Sequence, residues 1–316
     1  MENKEKNFIS AVVYVHNAEK QVGIFLNMLS EVLDQNFEHA EIICVDDASE
    51  DGSSIQMQKA AHEMKHMVIS VVHMSRFHGL EPAMAAGTDL AIGDFVLEFD
   101  TVGMDYDQSE IMRIYKKSLE GWDIVNASPD KKQKISSRLF YNLLERFSHA
   151  SYQMNTESFR ILSRRAVNRI SSMGKFVPYR KAAYVDCGLE SCRMVYHSKQ
   201  REGLDEDKFD IQEFRYKREL AIDILLMFTT AGYRFAVTMT ALMMVMTVFM
   251  IVYVGVTYWL STPSEGWTTT LLFLSAAFLG LFGILTVVIK YLQLLVDLTY
   301  KRQRYSYKSI EKLTNS

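Results

Sequence analysis

Cysteine is scarce in this chain, three residues among 316, and its scarcity argues against a disulfide or zinc scaffold. Cys44, Cys187 and Cys192 are odd in number and follow no metal-binding spacing, and Cys44, inside the apolar run Ile42–Val45, is expected in a core within a reducing compartment. A secretory leader is missing from the pattern too, because the charged MENKEKN leads directly into a strand-like run. The most consequential absence is charge. Phe235–Leu260 holds no acidic or basic side chain, and in Leu271–Val296 Lys290 stands alone, near the inner end where it can snorkel. Runs without a polar face argue against a buried hairpin of a soluble core.

Each run exceeds the roughly 20 residues that a membrane-spanning helix needs. Ser261–Thr270, with one charge at Glu265 and with Pro263 and Gly266, reads as the turn of a two-helix transmembrane hairpin. Arg215, Lys217, Arg218 and Arg234 precede the first run, and Lys301, Arg302, Arg304 and Lys308 follow the second. The positive-inside rule then predicts a multi-pass protein of the cytoplasmic (inner) membrane with both termini cytoplasmic. Between the polar portion and the first run, Ile211, Phe214, Ala221, Ile222, Leu225 and Phe228 recur at helical spacing among charges, as an interfacial amphipathic helix would place them.

The polar portion alternates strand and helix signals, and its length suits one substantial domain. Phe8–Val15, Glu41–Val45, Val68–Met74, Phe95–Phe99 and Asp123–Ala127 read as strands. Ala18–Gln35, Ser54–Met64, Glu81–Ala91, Glu110–Glu120 and Ser136–His149 read as helices, and Cys187–Gln212 as a polar loop. This order predicts an α/β domain with a mainly parallel sheet covered on both faces. The expected boundaries are 1–209 for that domain, 210–234 for the connector, 235–260 and 271–296 for the spans, and 297–316 for a basic tail.

Ligands of open parallel sheets bind outside the carboxyl ends of the strands. Those ends carry VHNAE (Val15–Glu19), VDDASEDGSS (Val45–Ser54), MSRFHGLEPAMAAG (Met74–Gly87) and LEFDTVGMDYD (Leu97–Asp107), each an acidic or small-residue loop. Asp46, Asp47 and Ser53 also suit turns and helix caps, but four such loops at one sheet edge point to a ligand.

With these motifs, and with TESFRILSRR (Thr156–Arg165) and YKRQRYSYK (Tyr300–Lys308), the chain resembles the GT-A type family 2 glycosyltransferases. Within them it is similar to the polyisoprenyl-phosphate group, the dolichol-phosphate mannose synthases and bactoprenol glucosyltransferases. The resemblance implies a GT-A nucleotide-sugar-binding fold and transfer of a sugar from a nucleotide-sugar donor to a polyprenyl phosphate beside membrane lipid. It assigns donor binding to Asn17, Glu19, Asp46, Asp47 and Ser49, with Asp46 expected to be the more buried of the acidic pair. Ser158, Arg160, Lys199 and Arg201 would meet acceptor or phosphate, and Asp100 and Arg160 would be catalytic.

The resemblance further implies Mg²⁺ or Mn²⁺ at Asp100. Where the family repeats an acidic residue, however, this chain has Asp100-Thr101-Val102. Asp105 or Asp107 could supply the second carboxylate, or Asp100 could act alone with phosphate oxygens and water. An acidic residue engineered at 102 would be expected to strengthen the metal site. Transfer to another membrane-proximal acceptor, and a degenerate transferase serving as a scaffold or regulatory partner, stand as alternatives. No Gln-x-x-Arg-Trp segment points to a processive synthase. Self-association into a homo-oligomer is left open, and nucleic acid is not an expected partner.

Overall fold

A computed structural model describes residues 4–64, 67–130, 157–173, 180–199, 267–300 and 305–313, with scattered positions between 215 and 249. The chain divides into two compact units. One comprises Met1–Tyr141, Ala150–Leu220 and Arg302–Ser316; the other comprises Asn142–His149 and Ala221–Lys301.

The first unit is built on an eight-stranded sheet of order β7-β5-β6-β4-β1-β2-β3-β8. Its strands are β1 (Ile9–Val15), β2 (Ala40–Asp46), β3 (Val68–Met74), β4 (Phe95–Phe99), β5 (Ile124–Pro129), β6 (Phe159–Ser163), β7 (Ser191–Tyr196) and β8 (Tyr307–Leu313). Strands β1 to β4 run parallel; β6 is antiparallel to β4 and β5, and β8 to β3. The expected mainly parallel sheet is therefore present, with two antiparallel insertions. Chain order reverses across β1, with β2 on one side and β4 on the other, so the loops after β1 and β4 flank a crevice at their carboxyl ends.

Strand alternation sends side chains to two cores. Ile9, Ala11, Val13, Leu97, Phe99, Phe159 and Ile161 pack with α1 (Glu19–Asn36), α2 (Ser53–Glu63) and α4 (Ser109–Ser118). Val12, Val45, Val96 and Leu162 pack on the other face with α3 (Leu80–Leu90), α5 (Arg164–Ser172) and α6 (Arg180–Asp186). Glu98 and Arg160 occupy positions between those core residues on β4 and β6, and the antiparallel register sets them opposite one another.

Two corrections concern strands. The polar stretch Cys187–Gln212, expected as a loop, contains β7, an edge strand that is only partly buried and whose apolar run is confined to Met194–Tyr196. The tail expected as a basic extension contains β8, which covers the edge of β3. Its side chains are nearly all exposed and its sequence, YKSIEKL, carries the lysines typical of an edge strand. The expected helix Ser136–His149 and residue Arg201 lie outside the described residues. Of the connector, Arg215, Tyr216, Arg218 and Glu219 are described, and they are helical.

The second unit contains α7 (Trp267–Tyr300), a single helix of 34 residues. Taken over the described residues alone, no helix is long and apolar enough to cross a membrane. The first expected span is described only at scattered positions, and several side chains of α7 lie outside the described residues.

His73 ties β8 to the end of β2. Its Nδ1 meets Asp46 Oδ2 at 3.1 Å and its Nε2 lies 3.6 Å from Glu311 Oε2 on β8. The hydrogen bond to Asp46 raises the His73 pKa above its ordinary 6.5, although partial burial opposes the shift. A raised histidine pKa means stabilisation that is complete below 6.5 and lost as pH climbs through the folded-state value. Asp46 is held below its ordinary value, so its share fades only in acid. Thermal unfolding followed from pH 6 into the mild alkaline range should show wild type losing stability more steeply than His73→Gln. Parallel curves would exclude the pair as a contributor.

Candidate active site

The loops after β1 and β2 interlock. Asn17 N donates to Ser49 Oγ at 3.1 Å, Glu50 N to Asn17 Oδ1 at 2.9 Å, and Gly52 N to Glu19 Oε2 at 3.3 Å. Ala18 N donates to Ser53 Oγ and Glu19 N to Asp51 Oδ2. Asn17 and Ala48 both adopt left-handed backbone, at φ 47° and 54°, a conformation that normally favours glycine or asparagine. The expected donor residues Asn17, Glu19 and Ser49 are therefore brought together, but their described bonds shape the loops.

Asp46 accepts from Ser49 N at 3.0 Å and from His73. Burial works to raise its pKa, yet these hydrogen bonds win and hold it low. Asp47 is fully buried, whereas Asp46 is 5% exposed, which reverses the expected order. Asp47 accepts from His78 N and Gly79 N, each at 2.8 Å, and from the Tyr14 hydroxyl at 3.1 Å. Burial raises its pKa despite those donors. Its carboxylate fastens the turn into α3, and Tyr216 of the connector packs on the same turn, its hydroxyl accepting from Glu81 N at 3.2 Å.

From that turn a continuous polar path reaches the end of β4. Glu81 Oε2 accepts from Arg180 N and Nε at 2.9 and 3.0 Å. Arg180 then donates from Nη1 to Glu98 Oε2 at 2.7 Å and from Nη2 to Asp100 Oδ1 at 2.8 Å. Arg160 meets the same two carboxylates, Nη1 to Glu98 Oε2 at 2.9 Å and Nη2 to Asp100 Oδ2 at 2.5 Å. Tyr184 and Thr88 hydroxyls complete Glu98, and the Arg160 guanidinium lies over the Tyr184 ring, 5.4 Å from its centre. Burial would raise the Asp100 pKa, but Arg160, Arg180 and Lys181 outweigh it and hold the group at about 2. Glu98 is lowered in the same way, with Arg180 and Arg160 overcoming burial.

Asp100 and Arg160, expected on metal and phosphate respectively, are thus brought into direct contact as an ion pair. The other expected residues are engaged elsewhere. Ser158 Oγ shares a hydrogen bond with Tyr196 OH at 2.6 Å, and Tyr196 donates to Asp105 Oδ1 at 2.8 Å. Asp107 caps Ser109 N at the start of α4 and binds Lys199 Nζ at 2.6 Å, which draws its pKa down to about 2. Sequence reasoning missed Glu81, Glu98, Arg180 and Tyr184. A glutamate inside the apolar strand FVLEF was a signal, since a buried carboxylate requires partners.

These residues do not fit the divalent cation that the family resemblance implies. Both Asp100 oxygens already accept from guanidiniums. Val102, at the position of the second acidic residue, is 5% exposed and belongs to the apolar core, so a carboxylate engineered there would face the core. Among the described residues no group of three or more His, Cys, Asp and Glu side chains is arranged to hold a metal ion.

The sequence pattern described as Glycosyl transferase family 2 matches residues 10–171, just over half of the chain. An uncharacterized glycosyltransferase of Synechocystis sp. is 28% identical over 199 residues, which cover 61% of this chain and 62% of that protein. The undecaprenyl-phosphate 4-deoxy-4-formamido-L-arabinose transferase of Aeromonas hydrophila is 29% identical over 133 residues, 42% of this chain and 40% of that protein. The chain therefore spans less than two thirds of the length of these relatives. Among solved structures, the mannosyltransferase PcManGT from Pyrobaculum calidifontis, in complex with GDP-Man and Mn²⁺, aligns over 87% of both chains at 12% identity and a TM-score of 0.47. The chain belongs to glycosyl transferase family 2 and has its GT-A α/β fold, with a mixed and mostly parallel sheet.

Proposed function

We propose that this glycosyltransferase moves a sugar from a nucleotide-sugar donor to a polyprenyl phosphate at the cytoplasmic face of a membrane. The observation that carries the reading is the meeting of Asp100, Arg160 and Arg180 at the end of β4, where the partly exposed Arg180 would face a departing diphosphate. The name of the Aeromonas relative supports a polyprenyl phosphate as acceptor. Such an acceptor is a phosphate monoester, mostly dianionic at neutral pH because its second pKa is about 6. It needs no protein base to attack the anomeric carbon.

The second unit supports the membrane setting. Leu274, Phe278, Leu281, Phe282, Leu285, Ile289, Leu292 and Leu295 are all about half exposed or more along α7. At 1.5 Å per residue that stripe is ~30 Å long, the thickness of a bilayer's hydrocarbon core. Because β8 rejoins the sheet, whatever crossing the chain makes between residues 221 and 301 must be matched by a return. The basic residues on both flanks favour the cytoplasmic side for both ends. Cysteine placed at Ser264 should react with an impermeant reagent from outside intact cells, and cysteine at Lys308 only after permeabilisation. Equal labelling of both in intact cells would sink the hairpin.

Incubating the detergent-purified chain with radiolabelled nucleotide sugars and polyprenyl phosphate should yield labelled lipid. Binding of a nucleotide without turnover of any donor would instead favour the scaffold reading, which Val102 at the altered acidic motif motivates.

A further inference from the structure

We propose that Arg180, held by Glu81 and Glu98 and paired with Asp100, supplies the positive charge that stabilises the leaving nucleoside diphosphate, so that transfer proceeds without a divalent cation. The inference rests on the glycosyltransferase reading and concerns how its site neutralises charge.

Three observations converge on Arg180. The first is position. A metal-binding carboxylate uses its oxygens on the cation, and here Asp100 Oδ1 faces Arg180 Nη2 at 2.8 Å while Oδ2 faces Arg160 Nη2 at 2.5 Å. The second is access. Arg160 is fully buried, whereas the Arg180 and Asp100 side chains are 10% and 12% exposed, so of the two guanidinium side chains Arg180 is the one that solvent reaches. The third is charge. The single charge of Asp100 is already matched by two guanidiniums, Arg160 and Arg180. Two positive charges within a few ångströms repel strongly in a partly desolvated site, so a divalent cation at Asp100 would have to expel a guanidinium first.

The reaction balances without a metal or a protein proton carrier. An oxygen of the acceptor phosphate forms a bond to the anomeric carbon. The bond from that carbon to the β-phosphate oxygen breaks, and its electron pair leaves with the diphosphate. One negative charge is thereby moved from acceptor to leaving group. A guanidinium fork is suited to that product because its parallel N–H groups match phosphate oxygens and its charge persists at all physiological pH values. Glu81, Glu98 and Asp100 each take one N–H of the guanidinium and fix its plane, which leaves one N–H on Nη1 and one on Nη2 for the diphosphate.

The test uses the full chain in detergent. UDP and GDP binding by calorimetry, and transfer to polyprenyl phosphate from the matching sugar nucleotides, are measured in excess EDTA and again with saturating Mn²⁺ or Mg²⁺. The expected result is equal affinity and equal turnover in both buffers. Arg180→Lys, which keeps the charge but loses the fork, should lower kcat by about 10²–10³-fold, the scale of losing one preorganised donor. Arg180→Ala should lose more and recover part of its kcat in added guanidinium, with its melting temperature unmoved by the additive, a response that a purely structural arginine would not give. Nucleotide binding or transfer that vanishes in EDTA and returns with Mn²⁺ overturns the inference while leaving the transferase reading intact. Failure of either nucleotide to bind in either buffer removes both. If Arg180→Ala does not fold, the wild-type comparison and Arg180→Lys still decide.

Discussion

Replacing Glu98 by glutamine should destabilise the catalytic unit by about 3–5 kcal/mol, the usual cost of breaking a buried ion pair from one side. Glu98 is 1% exposed and its Oε2 receives Arg160, Arg180 and Tyr184. Glutamine keeps the shape but removes the charge, leaving two guanidiniums to share Asp100, Glu81 and Glu157. Burial of the network as a whole is a different matter, because replacing every partner by apolar groups removes the desolvation cost along with the attraction. The triple variant Glu98→Leu, Arg160→Met, Arg180→Met should therefore regain much of the lost stability while remaining inactive. Thermal unfolding of the two variants beside wild type reads both effects. A Glu98→Gln chain that melts with wild type would show that the network does not hold β4, β6 and α6 together.

That contrast shows what was legible in the sequence. Val68–Met74 and Phe95–Phe99 appear as strands over the very residues expected, because buried parallel strands read as continuous apolar runs. The edge strands β7 and β8 could not be read this way. They are partly or wholly solvated, and a polar strand differs little from a loop until a partner edge is seen. In the site, Asp100 and Arg160 were found by motif. Arg180 lies 80 residues from Asp100 and reaches it only because α6 packs over the same sheet face. No local spacing encodes such a contact. Asp47, expected at the donor as an acidic loop residue, also fastens the β3–α3 turn by accepting from three donors while fully buried, a role that no local pattern announces.

The position of α3 depends on Gly87, and enlarging that residue should damage both stability and catalysis. A Cβ built there overlaps the side chains of Val12 on β1 and Val45 on β2, both within the buried core, so the helix rests directly on the two central strands. Gly87→Ala would gain up to about 1 kcal/mol of helix propensity if the space were open. Close packing should instead produce a net loss of about 1–3 kcal/mol, the range for overpacking a well-filled core, and Gly87→Val should lose more. The same helix carries Glu81, which holds Arg180, and Thr88, which donates to Glu98 at 2.8 Å. Lifting α3 from the sheet therefore moves two supports of the arginine cluster, and turnover should fall further than the unfolded fraction alone predicts. Val12→Ala introduced beside Gly87→Ala opens space beneath the new methyl, so the double variant should be more stable than the sum of the single changes requires. A Gly87→Ala chain more stable than wild type, with full turnover, would separate the helix from the strands it is said to rest on and the cluster from the helix.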